Sequence, residues 1–184
     1  MKIRRVVTGH DDTGRALFVD DRALEPLTVS LIPGAEYHRL WGGNEAPSFP
    51  DDGAARPMDP FFPPLGGYRF LVFQVPPGHR QAAAPPPVDL QAGMAEMEER
   101  LPGARAYFDP DAPGMHTTAT IDFEVVLDGE VWLELDDGAE LLLKAGDSVV
   151  QNGTRHAWRN KGEVPARLVA FIIGAHHARV PQRD

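Results

Sequence analysis

From Asp122 to Ile173 the chain repeats one pattern: runs of four to seven residues rich in Val, Leu, Ile, Phe and Trp, separated by short turns. The runs are Asp122–Leu127, Val131–Leu135, Glu140–Lys144, Ser148–Gln151, His156–Asn160 and Arg167–Ile173, and the turns carry Asp128-Gly129, Gly138, Gly146 and Asn152-Gly153. Runs this short are strands, and Asp-Gly and Asn-Gly turns join antiparallel neighbours, because their backbone twist matches that of the strands they connect. The pattern predicts an all-β chain, with antiparallel hairpins closing into a sandwich or barrel. The first half adds candidate strands at Arg4–Thr8, Ala16–Asp20 and Arg69–Val75, and the stretch Val29–Trp41 offers another, interrupted by Pro33-Gly34. One helix is expected over Asp89–Leu101. Asp89 is its N-cap, Leu90, Met94, Met97 and Leu101 recur at helical spacing, and Pro102-Gly103 ends it. The methionine stripe reads as packing.

At 184 residues the chain is long enough for one domain with its own core, spanning 1–184. It has no cysteine, which excludes thiolate metal sites, a cysteine nucleophile and a disulfide framework. A net charge of −9, with Lys2, Arg4 and Arg5 as the only dense basic cluster, argues against nucleic acid and anionic membrane as partners. No apolar run approaches the ~18 residues of a membrane span. The N-terminus has basic residues without an apolar stretch behind them, so a cytoplasmic protein is expected. The 18 glycines and 18 prolines gather in Gly42–Gly67 and Pro76–Pro87, which read as long loops. The first carries Phe49, Phe61 and Phe62 behind Trp41, too apolar to leave in water together, and is expected to pack over the barrel and help close its mouth.

The chemistry concentrates in two segments, Gly114–Gly129 and Gly146–Asn160. If the first is extended, His116, Thr118, Thr120 and Asp122 share one face, because side chains alternate along a strand. In the second, His156, Trp158 and Asn160 share a face. A polar row inside a barrel is costly unless it serves a ligand or a metal. Glu124 has the parity of Asp122 and is a second carboxylate at the site, the ligand itself if the strand shifts, or a solvated strand-end residue. Arg155 and Arg159 have the opposite parity to His156 and should pair with surface acids. His10 reads as a loop residue, and His176-His177 as an exposed tail.

The two segments resemble the paired motifs of the cupin superfamily, Gly-x5-His-x-His-x3,4-Glu-x6-Gly and Gly-x5-Pro-x-Gly-x2-His-x3-Asn. His116 takes the first histidine position, Thr118 the second, Asp122 the glutamate and Gly129 the closing glycine. Gly146, Gly153, His156 and Asn160 follow the second motif, with Gln151 in the proline region. The resemblance, to small single-domain bacterial cupins, implies a jelly-roll barrel with a divalent ion (Zn, Fe, Mn or Ni) on His116, Asp122 and His156. It also implies a pocket lined by Thr120, Trp158 and Asn160, and a homodimer. Two imidazoles and a carboxylate suit several divalent ions with open positions. Thr118 lies near without coordinating, and it or Glu124 is placed to move a proton. His116 and Asp122 lie six residues apart, about 20 Å along a straight strand; one ion can join them only through the bend that the resemblance implies. Three functions stay open: a metal-dependent lyase, dehydratase, decarboxylase or isomerase on a small oxygen-rich metabolite; a non-haem iron dioxygenase; and a non-enzymatic small-ligand module.

Overall fold

The computed structural model describes residues 2–78 and 89–180, so most of the Pro76–Pro87 cluster lies outside the described residues. Ten strands are described: β1 (Ile3–His10), β2 (Ala16–Leu24), β3 (Glu36–Gly43), β4 (Tyr68–Val75), β5 (Thr120–Asp128), β6 (Glu130–Glu134), β7 (Glu140–Lys144), β8 (Ser148–Gln151), β9 (Ala157–Arg159) and β10 (Ala166–Gly174). Every pairing between them is antiparallel. A five-stranded sheet runs β3-β4-β10-β5-β8 and a three-stranded sheet runs β7-β6-β9. Their inner faces meet in one apolar cluster, in which Val75, Val126 and Leu168 of the first sheet touch Val131, Leu133 and Leu143 of the second. This is a jelly-roll barrel, as the turn rhythm predicts.

Alternation makes the barrel. Along β10, Ala166, Leu168, Ala170 and Ile172 are buried, while Phe171 between them faces outward. Asp128-Gly129 turns β5 into β6 of the other sheet. Gly129 sits at φ +76, and a Cβ there would stand 2.7 Å from the Pro165 carbonyl oxygen, so only glycine fits. The chain interrupted at Pro33-Gly34 gives β3 two residues later, held at its start by a bridge between Leu27 and Tyr37.

Helix α1 spans Leu90–Arg100, and the Asp89 side chain accepts from the Gln91 and Ala92 N–H groups as its N-cap. Its inner face is narrower than the apolar stripe suggested. Met97 and Leu101 join the cluster of Val29, Phe61, Phe62, Leu71 and Ala170, whereas Leu90 stays exposed in the first turn. The β1-β2 hairpin is a separate sheet lying on the outside of β3 and β4, where Ile3 packs on Leu40 and Val72.

Candidate functional site

The segment before β5 is not strand. His116 makes an isolated bridge with His156, each backbone N–H donating to the other's carbonyl at 2.9 Å. This clasp brings the two rings within 4.2 Å, centroid to centroid. Each ring is fixed through Nδ1. The His116 Nδ1 lies 3.1 Å from the Gly114 carbonyl and the His156 Nδ1 lies 2.9 Å from the Thr154 carbonyl. A carbonyl only accepts, so each Nδ1 carries the hydrogen and each Nε2 keeps its lone pair. Burial lowers the His116 pKa, opposed by its bond to Gly114. Burial, with the neighbouring His116 adding to it, pushes His156 down to about 3. Both rings are neutral at pH 7.

Four polar side chains follow on the inner face of the same segment. Thr118 and Thr120 are buried with their hydroxyls 2.7 Å apart. Asp122 and Glu124 are also buried, and Asp122 Oδ1 and Glu124 Oε2 have no hydrogen-bond partner. Burial raises the Asp122 pKa to about 7, with a hydrogen bond from Thr120 pulling the other way. Burial raises Glu124 well above the carboxylate range, and the charge of Asp122 adds to it. Glu124 is therefore an inward-facing second carboxyl group and not a solvated strand-end residue.

The expected three-ligand set is not assembled. Among the described residues no three His, Asp or Glu side chains lie close enough to hold one ion. From Thr120 onward β5 is a regular strand, with Asp122 opposite Gln151 on one side and Ile172 on the other. The imidazole pair, with both Nε2 atoms free, suits a divalent ion; the carboxylate, as placed, does not complete the set.

Asn160 is the second correction. It is buried, but its amide spends itself on the backbone. Nδ2 donates to the Val75 and Val164 carbonyls at 2.9 and 2.8 Å, and Oδ1 accepts from the Gly162 N–H at 2.9 Å. It latches loops rather than lining a pocket. Trp158 stands beside the site, its ring 6.0 Å from His156 and 6.2 Å from Phe73. Arg155 pairs with Asp109 and Asp136, and Arg159 with Glu134, all on the outside as their parity predicts.

The residues around His116 that the motifs do not reveal are aromatic. Phe108 lies 5.0 Å and Phe62 6.4 Å from its ring. Phe62 comes from the Gly42–Gly67 loop, so the second half of that loop does pack over the site, as its apolar content suggested, while Phe49 in the first half stays exposed. His177 is not a free tail residue. Its Nε2 donates to the Gly153 carbonyl at 3.1 Å, and its Nδ1 accepts from the Arg179 and Val180 N–H groups. A Cβ on Gly153 would meet both this ring and the Thr118 carbonyl, so the terminal segment is laid against the turn that leads to His156. His10, at the end of β1, is tied to the Asp51 carbonyl. A cavity of about 840 Å³ lies elsewhere, between β1, β3 and the first half of the Gly42–Gly67 loop.

Residues 106–172 match the family model described as Cupin domain. A phomopsin biosynthesis cluster protein C' of Diaporthe leptostromiformis is 37% identical over 91 residues, 49% of this chain and 44% of that protein. A cupin-domain-containing oxidoreductase, srdB, of Neurospora crassa is 28% identical over 171 residues, 92% of this chain and 72% of that protein. The chain spans less than half the length of the first curated relatives it matches. These relatives are fungal, so the bacterial kinship expected from the motifs is not what the comparisons return. Among solved structures, a Thermotoga maritima protein described as a predicted oxalate decarboxylase has TM-score 0.42 and 16% identity, over 80% of this chain and 90% of that one. No helix among the described residues is long and apolar enough to cross a membrane. The paired motifs, the clasped imidazoles and the inward-facing acids all fall within the stretch, residues 106–172, that is similar to the cupin-domain model.

Proposed function

We propose that the barrel interior is the reaction centre of an enzyme acting on a small, uncharged, ring-bearing molecule, and that the reaction is an oxidoreduction. The observation that carries an active centre is the density of unsatisfied chemistry in one place. Two neutral imidazoles with free Nε2 atoms and two buried carboxyl groups with orphaned oxygens are costly to fold around, and such groups gather at functional sites. The substrate class follows from the surroundings. Phe62, Phe108 and Trp158 flank the imidazoles. Arg69 is the one buried lysine or arginine among the described residues, and its guanidinium is consumed by the Gly43, Pro60, Phe61 and Tyr68 carbonyls and by Asn44. Among the described residues no buried lysine or arginine is left to receive an anionic substrate. Support for the reaction class comes from the Neurospora relative named an oxidoreductase, which matches along most of the chain.

The chain's own residues have three tasks in this reading. Nε2 of His116 and of His156 accept hydrogen bonds from the bound molecule. Asp122, with its pKa near neutrality, gives or takes a proton at Oδ1. Phe62 and the aromatic wall exclude water. A divalent ion held by the imidazoles would supply Lewis acidity or a site for redox chemistry. A lyase or isomerase is the second reading, favoured by the same Asp122, since those reactions need only proton movement.

The test is to incubate the protein with neutral aromatic aldehydes, alcohols and phenols, with and without added iron(II), and to follow oxygen consumption and product mass. An oxidoreduction changes the hydrogen or oxygen count of the product, and H156A abolishes it. An isomer or cleavage product without net oxidation moves the assignment to the second reading. Compounds that bind and are recovered unchanged would sink both and leave a binding module.

A further inference from the structure

We propose that His177, in the segment that follows β10, is a positioning residue for His156: it holds the turn whose next carbonyl fixes that ring. The inference rests on the reading of the imidazole pair as part of a reaction centre. In that reading His156 acts through the lone pair on Nε2, and Nε2 keeps it only while Nδ1 carries the hydrogen. The Thr154 carbonyl, 2.9 Å from Nδ1, enforces this. The group that aims this carbonyl therefore decides what His156 can do.

Thr154 lies in a short turn between the end of β8 at Gln151 and the bridge of His156 with His116. Both ends of the turn are anchored. Gln151 stands opposite Asp122, and the His156 backbone exchanges two bonds with His116. Gln151 Nε2 adds a long bond to the Thr154 carbonyl, at 3.3 Å. The weak point is Gly153. It sits at φ +60, and a glycine moves between left- and right-handed backbone at little cost. Rotation there swings the peptide that follows, and the Thr154 carbonyl is one residue beyond.

His177 removes that freedom. Its Nε2 donates to the Gly153 carbonyl at 3.1 Å. Its Nδ1 accepts from the Arg179 and Val180 N–H groups, each at 3.1 Å, so the ring is neutral with its hydrogen on Nε2, the opposite tautomer to His156. The segment that carries the ring is itself tied down. The Gly174 N–H donates to the Gly67 carbonyl at 2.9 Å and the Ala175 N–H to the Ala119 carbonyl at 2.8 Å. A Cβ on Gly153 would stand 3.0 Å from His177 Cδ2 and 3.2 Å from the Thr118 carbonyl oxygen, so the ring and the polar row of the site close on this glycine together.

The path is short. It runs from His177 Nε2 to the Gly153 carbonyl, along one residue of backbone to the Thr154 carbonyl, and from there to His156 Nδ1. A terminal segment that only covered the barrel would do so with an apolar side chain. His177 instead spends both ring nitrogens on backbone groups, one of them in the turn that serves the site. A glutamine can donate and accept in the same way, whereas a leucine fills the space and does neither.

The test is nuclear magnetic resonance on the full chain with isotope-labelled histidine, which reads the His156 tautomer from its ring nitrogen shifts, together with zinc titration. H177L should leave the amide shifts of β5 and β10 in place while His156 becomes a mixture of tautomers, and zinc affinity at the imidazole pair should fall about tenfold. H177Q should restore both. A wild-type His156 with its hydrogen on Nε2 overturns the proposal, as does an H177L protein with tautomer and affinity unchanged, or H177Q as damaging as H177L. Where H177L does not fold, H177Q decides: a single His156 tautomer supports the proposal and a mixture overturns it. A chain that folds with neither variant makes His177 structural and overturns it as well. A wild type that binds no zinc and converts nothing sinks the reading of the barrel as a reaction centre, while the His156 tautomer still tests the role of His177.

Discussion

Asn160 distinguishes a pocket from a latch, and N160A separates the two. The substitution removes three hydrogen bonds at once: one to the Val75 carbonyl, which is buried, and two to partly buried groups at Val164 and Gly162. Leaving a buried carbonyl unsatisfied costs about 1–3 kcal/mol, and each bond near solvent costs about 0.5–1 kcal/mol, because water replaces the lost partner. The expected loss is about 3 kcal/mol. For a chain of this length each 1 kcal/mol lowers Tm by roughly 2–4 °C, so Tm should fall by about 6–12 °C. Urea unfolding followed by tryptophan fluorescence, with wild type and variant at the same protein concentration, measures the difference. N160D should be at least as damaging, since its carboxylate faces two carbonyl oxygens where the amide donated. Losses under about 1 kcal/mol in both variants, or a variant of full stability that loses ligand binding, would refute the latch and return Asn160 to the pocket.

Asp122 and Glu124 have folded pKa values above their unfolded ones, so the folded state binds more protons and stability falls as pH rises above about 4. For Asp122 the fall ends near pH 7, with a slope of at most ~1.4 kcal/mol per pH unit; D122N should remove its share and E124Q the other, and parallel stability–pH curves in all three proteins would contradict the burial argument. Titration with zinc, nickel, manganese or iron(II) should show binding that H156A abolishes and D122N leaves within twofold; equal loss in D122N would mean that Asp122 reaches the imidazoles in solution.

The strand order along the second half was legible because it is written locally. Alternation, run length and Asp-Gly turns act over a few residues, and β5 to β10 fall within a residue or two of the expected strands. The same local rule placed Arg155 and Arg159 outside and Thr118, Thr120 and Asp122 inside, and it allowed Glu124 to face inward without deciding the matter. It failed where a contact has no periodic signature. Phe62 lies 54 positions before His116, and nothing in the spacing of either announces that their rings meet. Leu90 keeps helical spacing with Met97 yet stays in water, because the buried positions of α1 are Gly93 and Met97 and its first residue lies beyond that contact.

The amino-acid sequence by itself determined an antiparallel barrel, the two segments that carry its chemistry and the sides their residues face, since each depends on neighbours one to four positions away. Tertiary structure decided which of those residues meet. His116 and His156 are 40 positions apart and become adjacent through one backbone bridge. Asp122 is six positions from His116, yet among the described residues the two histidines and this carboxylate do not come together as one ligand group, and β5 is paired on both sides from Thr120 onward. Those pairings join residues far apart in the chain and exist only once the sheet has formed.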